Sequence, residues 1–437
     1  MNDWEIKKCL RVSLAILLAA FGLVGLAALG YDIPILRQIV GFIFLTFVPG
    51  ILILRILKIH NIGVIESLVY SVGLSIAFVM FIGTFANFVL PLIGISKPIS
   101  TFPIMTTLAV FTLILGAVAY KREKGFSATA RDCFVTHAPR NDRGESKILS
   151  LPYLLLILLP ILAIFGAHLV NVYQNNFLLL FFIIVICCVV AMVAFDRLPR
   201  NAYPLAIAMI GISLLLHVTL ISSQLSGYDI HTEYYYQNLV AQNNHWDFTV
   251  PSNVNTCLSI VMLNPIYSLL LNMNSIWVFK IIYPLIFCLV PLALFHIYRD
   301  QIGVRKAFLS VFFFMGLYTF IAGMPQSTRQ QIAELFFALL ILLMIDRKLA
   351  LSQRMTLAII FVVSLIVSHY ALGYICLAFL LVAWAIVVLI QSRGGRRAWG
   401  WLTHKFGGLP QSLTSQGAFP HKIMAIIICI YLAFTID

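Results

Sequence analysis

Charged side chains are scarce in this sequence of 437 residues, and acidic ones are scarcer than basic ones. Asp, Glu, Lys and Arg together make up 10% of the residues, hydrophobic residues make up 61%, and the mean hydropathy is +0.99. A soluble domain carries about 25% charged residues, because its surface must stay hydrated. The composition therefore excludes a soluble globular protein and predicts an all-α, polytopic integral membrane protein in the lipid bilayer.

Several chemical motifs are also missing. The eight cysteines are scattered, with neither the spacing of a disulfide framework nor a Cys-x-x-Cys metal motif. No Gly-rich phosphate loop of the Walker or Rossmann type is present, which argues against an ATP-driven pump. The first apolar run leads into further apolar runs rather than to a cleavage site, so we interpret it as a retained first helix.

Long apolar stretches fill most of the chain. A helix needs roughly 20 mainly apolar residues to cross the hydrocarbon core of a bilayer. Stretches of this kind predict about 13 transmembrane helices, at about 11–30, 35–57, 64–93, 103–120, 150–170, 177–195, 203–224, 276–298, 307–324, 331–346, 355–371, 373–391 and 420–436.

Basic residues decide the predicted orientation. A formal net charge of +13 could indicate a nucleic-acid partner, but Lys and Arg of membrane proteins gather in cytoplasmic loops. With the N-terminus inside, only Arg37, Lys97 and Arg329 fall outside, and Lys280 falls within a span. The sequence therefore predicts a multi-pass protein of the cytoplasmic (plasma) membrane, N-terminus inside, with no nucleic-acid partner.

One apolar stretch does not fit this alternation as a span. If residues 255–272 crossed the membrane, the basic turn at 299–306 would fall outside and every later loop would invert. We therefore interpret 255–272 as a helix at the outer interface, interrupted by Asn264 and Pro265. The interval 225–275, which contains no Lys or Arg, then becomes the largest external segment.

A long polar segment divides the chain into two parts. Residues 121–149 are polar and non-periodic, which is typical of a disordered, basic cytoplasmic linker. Before it lies a four-helix membrane domain, 1–120, which carries no paired external carboxylates and which we expect to be a scaffold or partner surface. After it lies a second membrane domain, 150–437, with the external loop 225–275.

The string GYDIHTEYYYQNLVAQNNHWDFTVP (227–251) concentrates acidic residues in the external segment. Asp229 and Glu233 are four residues apart, so on a helix they would share one face and could act as general base and as metal or orienting ligand. Mg²⁺ or Mn²⁺ is the candidate cation if one is used. A solvated loop would also hold acidic residues, but acidic residues contribute little to topology, so that alternative leaves the clustering unexplained.

This arrangement resembles a known superfamily. A membrane helix, an external loop with an early Asp and a second acid, interfacial helices and then a span ending in a basic turn resemble the start of the GT-C membrane glycosyltransferases. These include protein O-mannosyltransferases, the catalytic subunit of oligosaccharyltransferase and aminoarabinose transferases. GMPQSTRQQIAELFFALLILL and VSHYALGYICLAF are similar to segments of an uncharacterised prokaryotic membrane family within that superfamily. The resemblance covers roughly 200–437.

The resemblance implies a reaction and a catalytic residue. A sugar would pass from a polyprenyl-phosphate-linked donor to a glycan, lipid or protein acceptor on the extracytoplasmic face, and Asp229 matches the family's catalytic Asp. Members of the superfamily often continue into an external soluble domain, whereas this sequence ends at Asp437. The resemblance therefore also implies truncation at the C-terminus.

Other residues are candidates for substrate binding. Arg329 suits a lipid-linked phosphate, with a helix-end anchor or a partner for Glu334 as its alternatives. His369 and Tyr370 lie in the same predicted plane and could donate to a leaving phosphate or hold a sugar hydroxyl, unless they are simply a satisfied interfacial pair. The remaining candidates are His231, Gln330 and Tyr235.

Two other classes of function fit the same composition. A secondary transporter or lipid flippase would also be polytopic and basic inside, and Pro265, Pro284 and Pro291 could break helices along a pathway. The polar residues gather at the predicted outer edge rather than at mid-membrane, which favours the enzyme. A non-catalytic scaffold becomes the better interpretation if truncation has removed an essential part.

Overall fold

The structure is a computed structural model that describes residues 4–60, 62–124, 151–346 and 348–391. Those residues contain helices and connecting turns but no strand, which confirms the all-α class. The first eight helices are α1 Ile6–Ala28, α2 Pro34–Ile56, α3 Val64–Val89, α4 Thr101–Lys124, α5 Leu151–Tyr173, α6 Phe177–Ala194, α7 Tyr203–Thr219 and α8 Asp229–Asn243. The later helices are α9 Leu258–Val261, α10 Leu263–Leu271, α11 Ser275–Trp277, α12 Tyr283–Phe287, α13 Leu289–Ile302, α14 Val304–Met315, α15 Thr328–Ile345, α16 Leu351–Ile366 and α17 Tyr370–Gln391.

Nine helices among the described residues are long and apolar enough to cross a membrane. The count is ten if α14 and the helical stretch Thr319–Gln326 are taken as one span. The two are bent by 56° at the break between them. The spans predicted at 355–371 and 373–391 correspond to two shorter apolar stretches, Leu351–Ile366, which is α16, and Tyr370–Ile386, within α17. The span predicted at 420–436 lies outside the described residues. The chain is therefore a membrane protein with nine to ten spans in its described part.

The stretch predicted as an interrupted interfacial helix is broken at a different residue. The break lies at Met262, between α9 and α10, and not at Asn264 and Pro265. Pro265 falls in the first turn of α10, where a missing backbone N–H costs nothing because that N–H has no helical partner. Leu258–Leu271 is too short for a span and packs inside the protein, against α2, α3 and α8.

The helices before the predicted linker share one hydrophobic core with those after it. The α2 helix packs along α10, and α3 packs against α13, α15 and α16. At one end of α3, the Glu66 carboxylate lies 2.9 Å from His296 Nε2 and 3.3 Å from Lys348 Nζ. The division at 121–149 stays a prediction, because α4 ends at Lys124 and most of that segment lies outside the described residues.

A glycine lets α2 and α3 approach closely. The Gly50 N–H donates to Ser75 Oγ at 2.8 Å, and a Cβ added to Gly50 would lie 1.8 Å from the Ser71 carbonyl oxygen. Such a contact cannot be accommodated without moving the two backbones apart. This contact sets the separation of the two helices on which the later helices pack.

We expect Gly50→Ala to destabilise the protein by about 1–3 kcal/mol, the usual cost of overpacking a core. The matched control is Gly25→Ala in α1, where an added Cβ meets nothing within 4 Å and helix propensity improves. Thermal unfolding of both variants in one detergent tests the prediction. Equal melting temperatures for the two variants would contradict it.

Candidate active site

Asp229 and Glu233 both lie on α8, as the spacing predicted. The helix begins two residues after Gly227, whose φ of +123° favours glycine and whose Cα packs against Gln326. Asp229 therefore falls in the first turn of α8, where the helix dipole favours a negative charge. One turn later, Glu233 points into the protein, with 0% of its surface exposed, whereas 44% of the Asp229 side chain is exposed.

The buried Glu233 carboxylate caps the start of α15. Its Oε2 accepts hydrogen bonds from the Thr328 backbone N–H, at 2.9 Å, and from the Thr328 hydroxyl. Its Oε1 accepts longer bonds from the Arg329 N–H at 3.4 Å and from Ser327 Oγ at 3.5 Å. The first N–H groups of a helix have no partner within it, so this carboxylate satisfies donors that would otherwise be orphaned.

Arg329 connects the two acids. Its Nη2 lies 2.9 Å from Asp229 Oδ2 and its Nε lies 3.7 Å from Glu233 Oε1, while only 5% of the residue is exposed. Its guanidinium carbon lies 5.6 Å from the ring centre of Tyr370, and that ring stacks on His369 with 5.4 Å between centres. The structure thus brings together five of the eight predicted site residues.

Burial changes the protonation of two of these groups. Desolvation raises the pKa of Glu233 to about 7, against the opposing effects of Thr328 and Arg329. His369 lies between α16 and α17, where burial and then the positive charge of Arg329 lower its pKa to about 4. Its Nδ1 accepts a hydrogen bond from the Leu372 N–H at 3.1 Å. The neutral imidazole therefore carries its proton on Nε2, where it can donate.

Three predicted residues stand apart from this cluster. His231 lies on the exposed side of α8, and Tyr235 is 57% exposed with its ring edge against Tyr236. Gln330 donates to Glu334 Oε1 at 3.0 Å, so Gln330, and not Arg329, is the partner of Glu334. None of the three has a contact with the acids that the structure records.

The paired acids do not fit a divalent cation. Both oxygens of Glu233 already accept hydrogen bonds, and the Arg329 guanidinium occupies the position between the acids where a metal ion would have to lie. The residues that the structure describes contain no group of three or more His, Cys, Asp or Glu side chains placed to hold a metal. The positive charge that the sequence assigned to Mg²⁺ or Mn²⁺ is supplied here by arginine.

Sequence reasoning missed two contributors to the site. Ser327 and Thr328 stand in the string PQSTRQQ, but the sequence predicts a role there only for Arg329 and Gln330. Ser and Thr directly before an apolar helical run are typical of a helix start, and that signal predicts where the free N–H groups lie. It does not predict that a glutamate nearly a hundred residues earlier would accept them.

A small cavity of about 90 Å³ adjoins the cluster and contains Lys280. Lys280, which the sequence places within a span, is only 4% exposed, and its ammonium donates to the Ser222 carbonyl oxygen. Ile230, which follows Asp229, and Gln326, which precedes Ser327, line the same cavity. Lys280 is therefore a buried cation at the wall of this cavity.

We expect Glu233 to make stability depend on pH. Its pKa is about 7 in the folded protein against 4.5 ordinarily, so its contribution is complete below pH 4.5 and is lost as the pH rises through 7. The lowered pKa of His369 has the opposite effect, making stability rise with pH up to about 6.5. Wild type must therefore be compared with Glu233→Gln, which keeps His369 and lacks only the titrating carboxylate. The melting temperature of wild type, relative to the variant, should fall between pH 5 and 8. A constant difference would contradict the assignment.

Comparisons with protein-family models, curated proteins and solved structures found no significant match to this chain. The GT-C resemblance therefore stays a prediction, carried by the motifs quoted above.

Proposed function

We propose that the chain is a glycosyltransferase of the cytoplasmic membrane that moves a sugar from a polyprenyl-phosphate-linked donor to an acceptor on the extracytoplasmic face. The observation that carries the proposal is the contact between the half-exposed Asp229 carboxylate and the buried Arg329 guanidinium. This contact lies at the beginning of α15, a membrane-spanning helix. A lipid-linked phosphate lies at the same level, because its chain occupies the hydrocarbon core.

Asp229 is the proposed general base. As the acceptor oxygen forms its bond to the anomeric carbon, the acceptor hydroxyl proton passes to the exposed Asp229 carboxylate. The bond between the anomeric carbon and the phosphate oxygen breaks, and the phosphate leaves with the electron pair. Asp229 suits this role because 44% of its side chain is exposed, while one oxygen is held at 2.9 Å by Arg329.

Arg329 and His369 stabilise the departing phosphate in this proposal. A guanidinium carries a permanent positive charge and binds phosphate oxygens through several N–H groups. The neutral His369 adds a donor at Nε2 without adding a charge, and its ring stacks on Tyr370, which lies against Arg329. Such donors accelerate reaction when they are aimed at the charge that develops on the leaving group.

Glu233 is a positioning residue rather than a second catalytic acid. It is completely buried, and the groups bonded to it belong to the start of α15. It holds Thr328 and Arg329 in place and balances part of the arginine's charge. The paired-acid pattern in the sequence therefore combines a reactive carboxylate with a structural one.

A proton-coupled transporter is the second candidate, and one observation favours it. A buried carboxylate with a pKa of about 7, beside an arginine, changes charge in the physiological range. In a transporter, protonation of Glu233 would release Arg329 and move α8 relative to α15. The glycosyltransferase is preferred because the more exposed acid, Asp229, is the one that can reach an acceptor hydroxyl.

The test is sugar transfer from radiolabelled polyprenyl-phosphate donors in membranes that contain the full chain. We expect Asp229→Asn to reduce the rate by about a hundredfold or more, the usual contribution of a general base. We expect Arg329→Lys to weaken transfer as well, because an ammonium cannot reproduce the planar contact with Asp229 and phosphate.

Asp247→Asn is the matched control, since Asp247 is an exposed acid of the same segment whose carboxylate accepts hydrogen bonds from nearby Thr249. Transfer that survives in Asp229→Asn, or that falls equally in Asp247→Asn, would overturn the base assignment. No transfer by wild type, together with proton-dependent solute uptake that Glu233→Gln abolishes, would establish the transporter instead.

A further inference from the structure

A second polar groove lies between the helices of the two parts of the chain. It has a volume of about 910 Å³, within the range of small-molecule sites, and is bounded by the end of α1, the start of α2, the start of α4 and the end of α10. Its wall combines the charged pair Asp32 and Arg37 with the amide of Asn272 and the ring of Phe102. No residue of the candidate active site lines it.

Arg37 has little capacity left for a ligand. Its Nε donates to the Leu270 carbonyl at 2.9 Å and its Nη2 to the Leu269 carbonyl at 2.8 Å, at the end of α10. Only Nη1 faces Asp32, at 3.6 Å from Oδ1. That distance is too long for a hydrogen bond, so Arg37 and Asp32 form an ion pair without one.

Only one of the two carboxylate oxygens of Asp32 accepts a hydrogen bond. Its Oδ2 accepts a hydrogen bond from Asn272 Nδ2 at 2.5 Å, whereas its buried Oδ1 has no hydrogen-bond partner among the described residues. A buried polar atom without a partner is energetically unfavourable. The accessible part of Asp32, 26% of its side chain, lines the groove, and a carboxylate there can accept a hydrogen bond from a ligand hydroxyl.

The charges select a neutral ligand. An anion would meet the Asp32 carboxylate, and a cation would meet the Arg37 guanidinium, so neither is favoured over a group that donates and accepts. Phe102 is 49% exposed at the groove and offers a flat apolar face beside these polar groups. Hydroxyls together with an apolar C–H face are the chemistry of a sugar ring, which aromatic and carboxylate side chains bind in combination.

We propose that this groove is a binding site for a neutral carbohydrate. The start of α4 connects it to the candidate active site, because the Ile99 N–H donates to the Asn244 carbonyl at 2.9 Å, directly after α8. From there α8 leads back to Asp229 over about 20 Å, at 1.5 Å per residue. The groove holds the far end of a glycan acceptor whose near end reacts at Asp229. This last step rests on the proposed function, whereas carbohydrate binding does not.

The experiment measures binding by isothermal titration of the full chain, purified in a detergent without a sugar headgroup. The probes are the neutral trisaccharides maltotriose, mannotriose and cellotriose, beside cationic chitosan trimer and anionic trigalacturonate. Binding of a neutral trisaccharide that exceeds binding of both charged ones supports the proposal. Failure of all three neutral probes, or preference for a charged one, overturns it, and so does displacement by phosphoethanolamine, which would assign the groove to a lipid headgroup.

Two variants locate the binding. Asp32→Asn should weaken it by about tenfold or more, because a charge-assisted hydrogen bond is lost. Phe102→Ala should weaken it by about 3–10-fold through loss of the aromatic face, and its exposure means that folding does not depend on it. Asp247→Asn lies outside the groove and should bind like wild type. Unchanged binding in Phe102→Ala would place the sugar elsewhere, even if Asp32→Asn failed to fold.

The two proposals fail separately. Asp229→Asn should keep the binding of the trisaccharide while transfer is lost. If the trisaccharide binds but wild type transfers no sugar, the groove stands and the glycosyltransferase does not. If wild type transfers sugar but no neutral trisaccharide binds, the glycosyltransferase stands and the carbohydrate site in the groove does not.

Discussion

The buried Glu233 carboxylate is the constraint on which the candidate site depends. Removing a carboxylate from water costs several kcal/mol unless hydrogen bonds and positive charge replace the lost hydration. Here the replacement comes from the first residues of α15, so α8 must lie against the start of that helix. Arg329 is the second residue of α15, and it is therefore brought to Asp229, one turn away from Glu233.

The helices before the predicted linker hold the segment that carries the acids. Asn87 of α3 donates to the Trp246 carbonyl at 2.9 Å and accepts from the Trp246 N–H at 2.8 Å. Arg37 of α2 holds the end of α10 in a similar way, through two carbonyls. These bonds fix the start of the irregular segment after α8 and, further along the chain, the end of α10. The sequence predicts that the first part of the chain is a scaffold or partner surface. In that role, its polar side chains would hold the backbone of the other part in place.

The spanning helices differ strongly in how much of their surface is buried within the protein. The most buried ones lie near the candidate site. In the most apolar window of Ser275–Ile302, 83% of the residues are buried within the protein, compared with 22% for Phe177–Ala194. Both are apolar enough to span a membrane, and the enclosed helix is the less hydropathic of the two. In a bilayer, an apolar side chain has a similar free energy against lipid and against protein. Differences in packing therefore decide which helices lie at the centre. The helices that support Arg329 and the acids are the enclosed ones.

The sequence by itself determined the class of protein, the approximate positions of the helices long enough to span a membrane and the shared face of Asp229 and Glu233, because hydrophobic length and helical spacing are local properties. It also singled out Arg329, His369 and Tyr370, because polar residues in an apolar chain are conspicuous. Tertiary structure decided that Arg329 pairs with acids about a hundred residues earlier, that Glu233 is buried while Asp229 is exposed, and that Asp32 faces a groove. Partner choice and solvent exposure depend on which helices pack together, and nothing in local spacing encodes that packing.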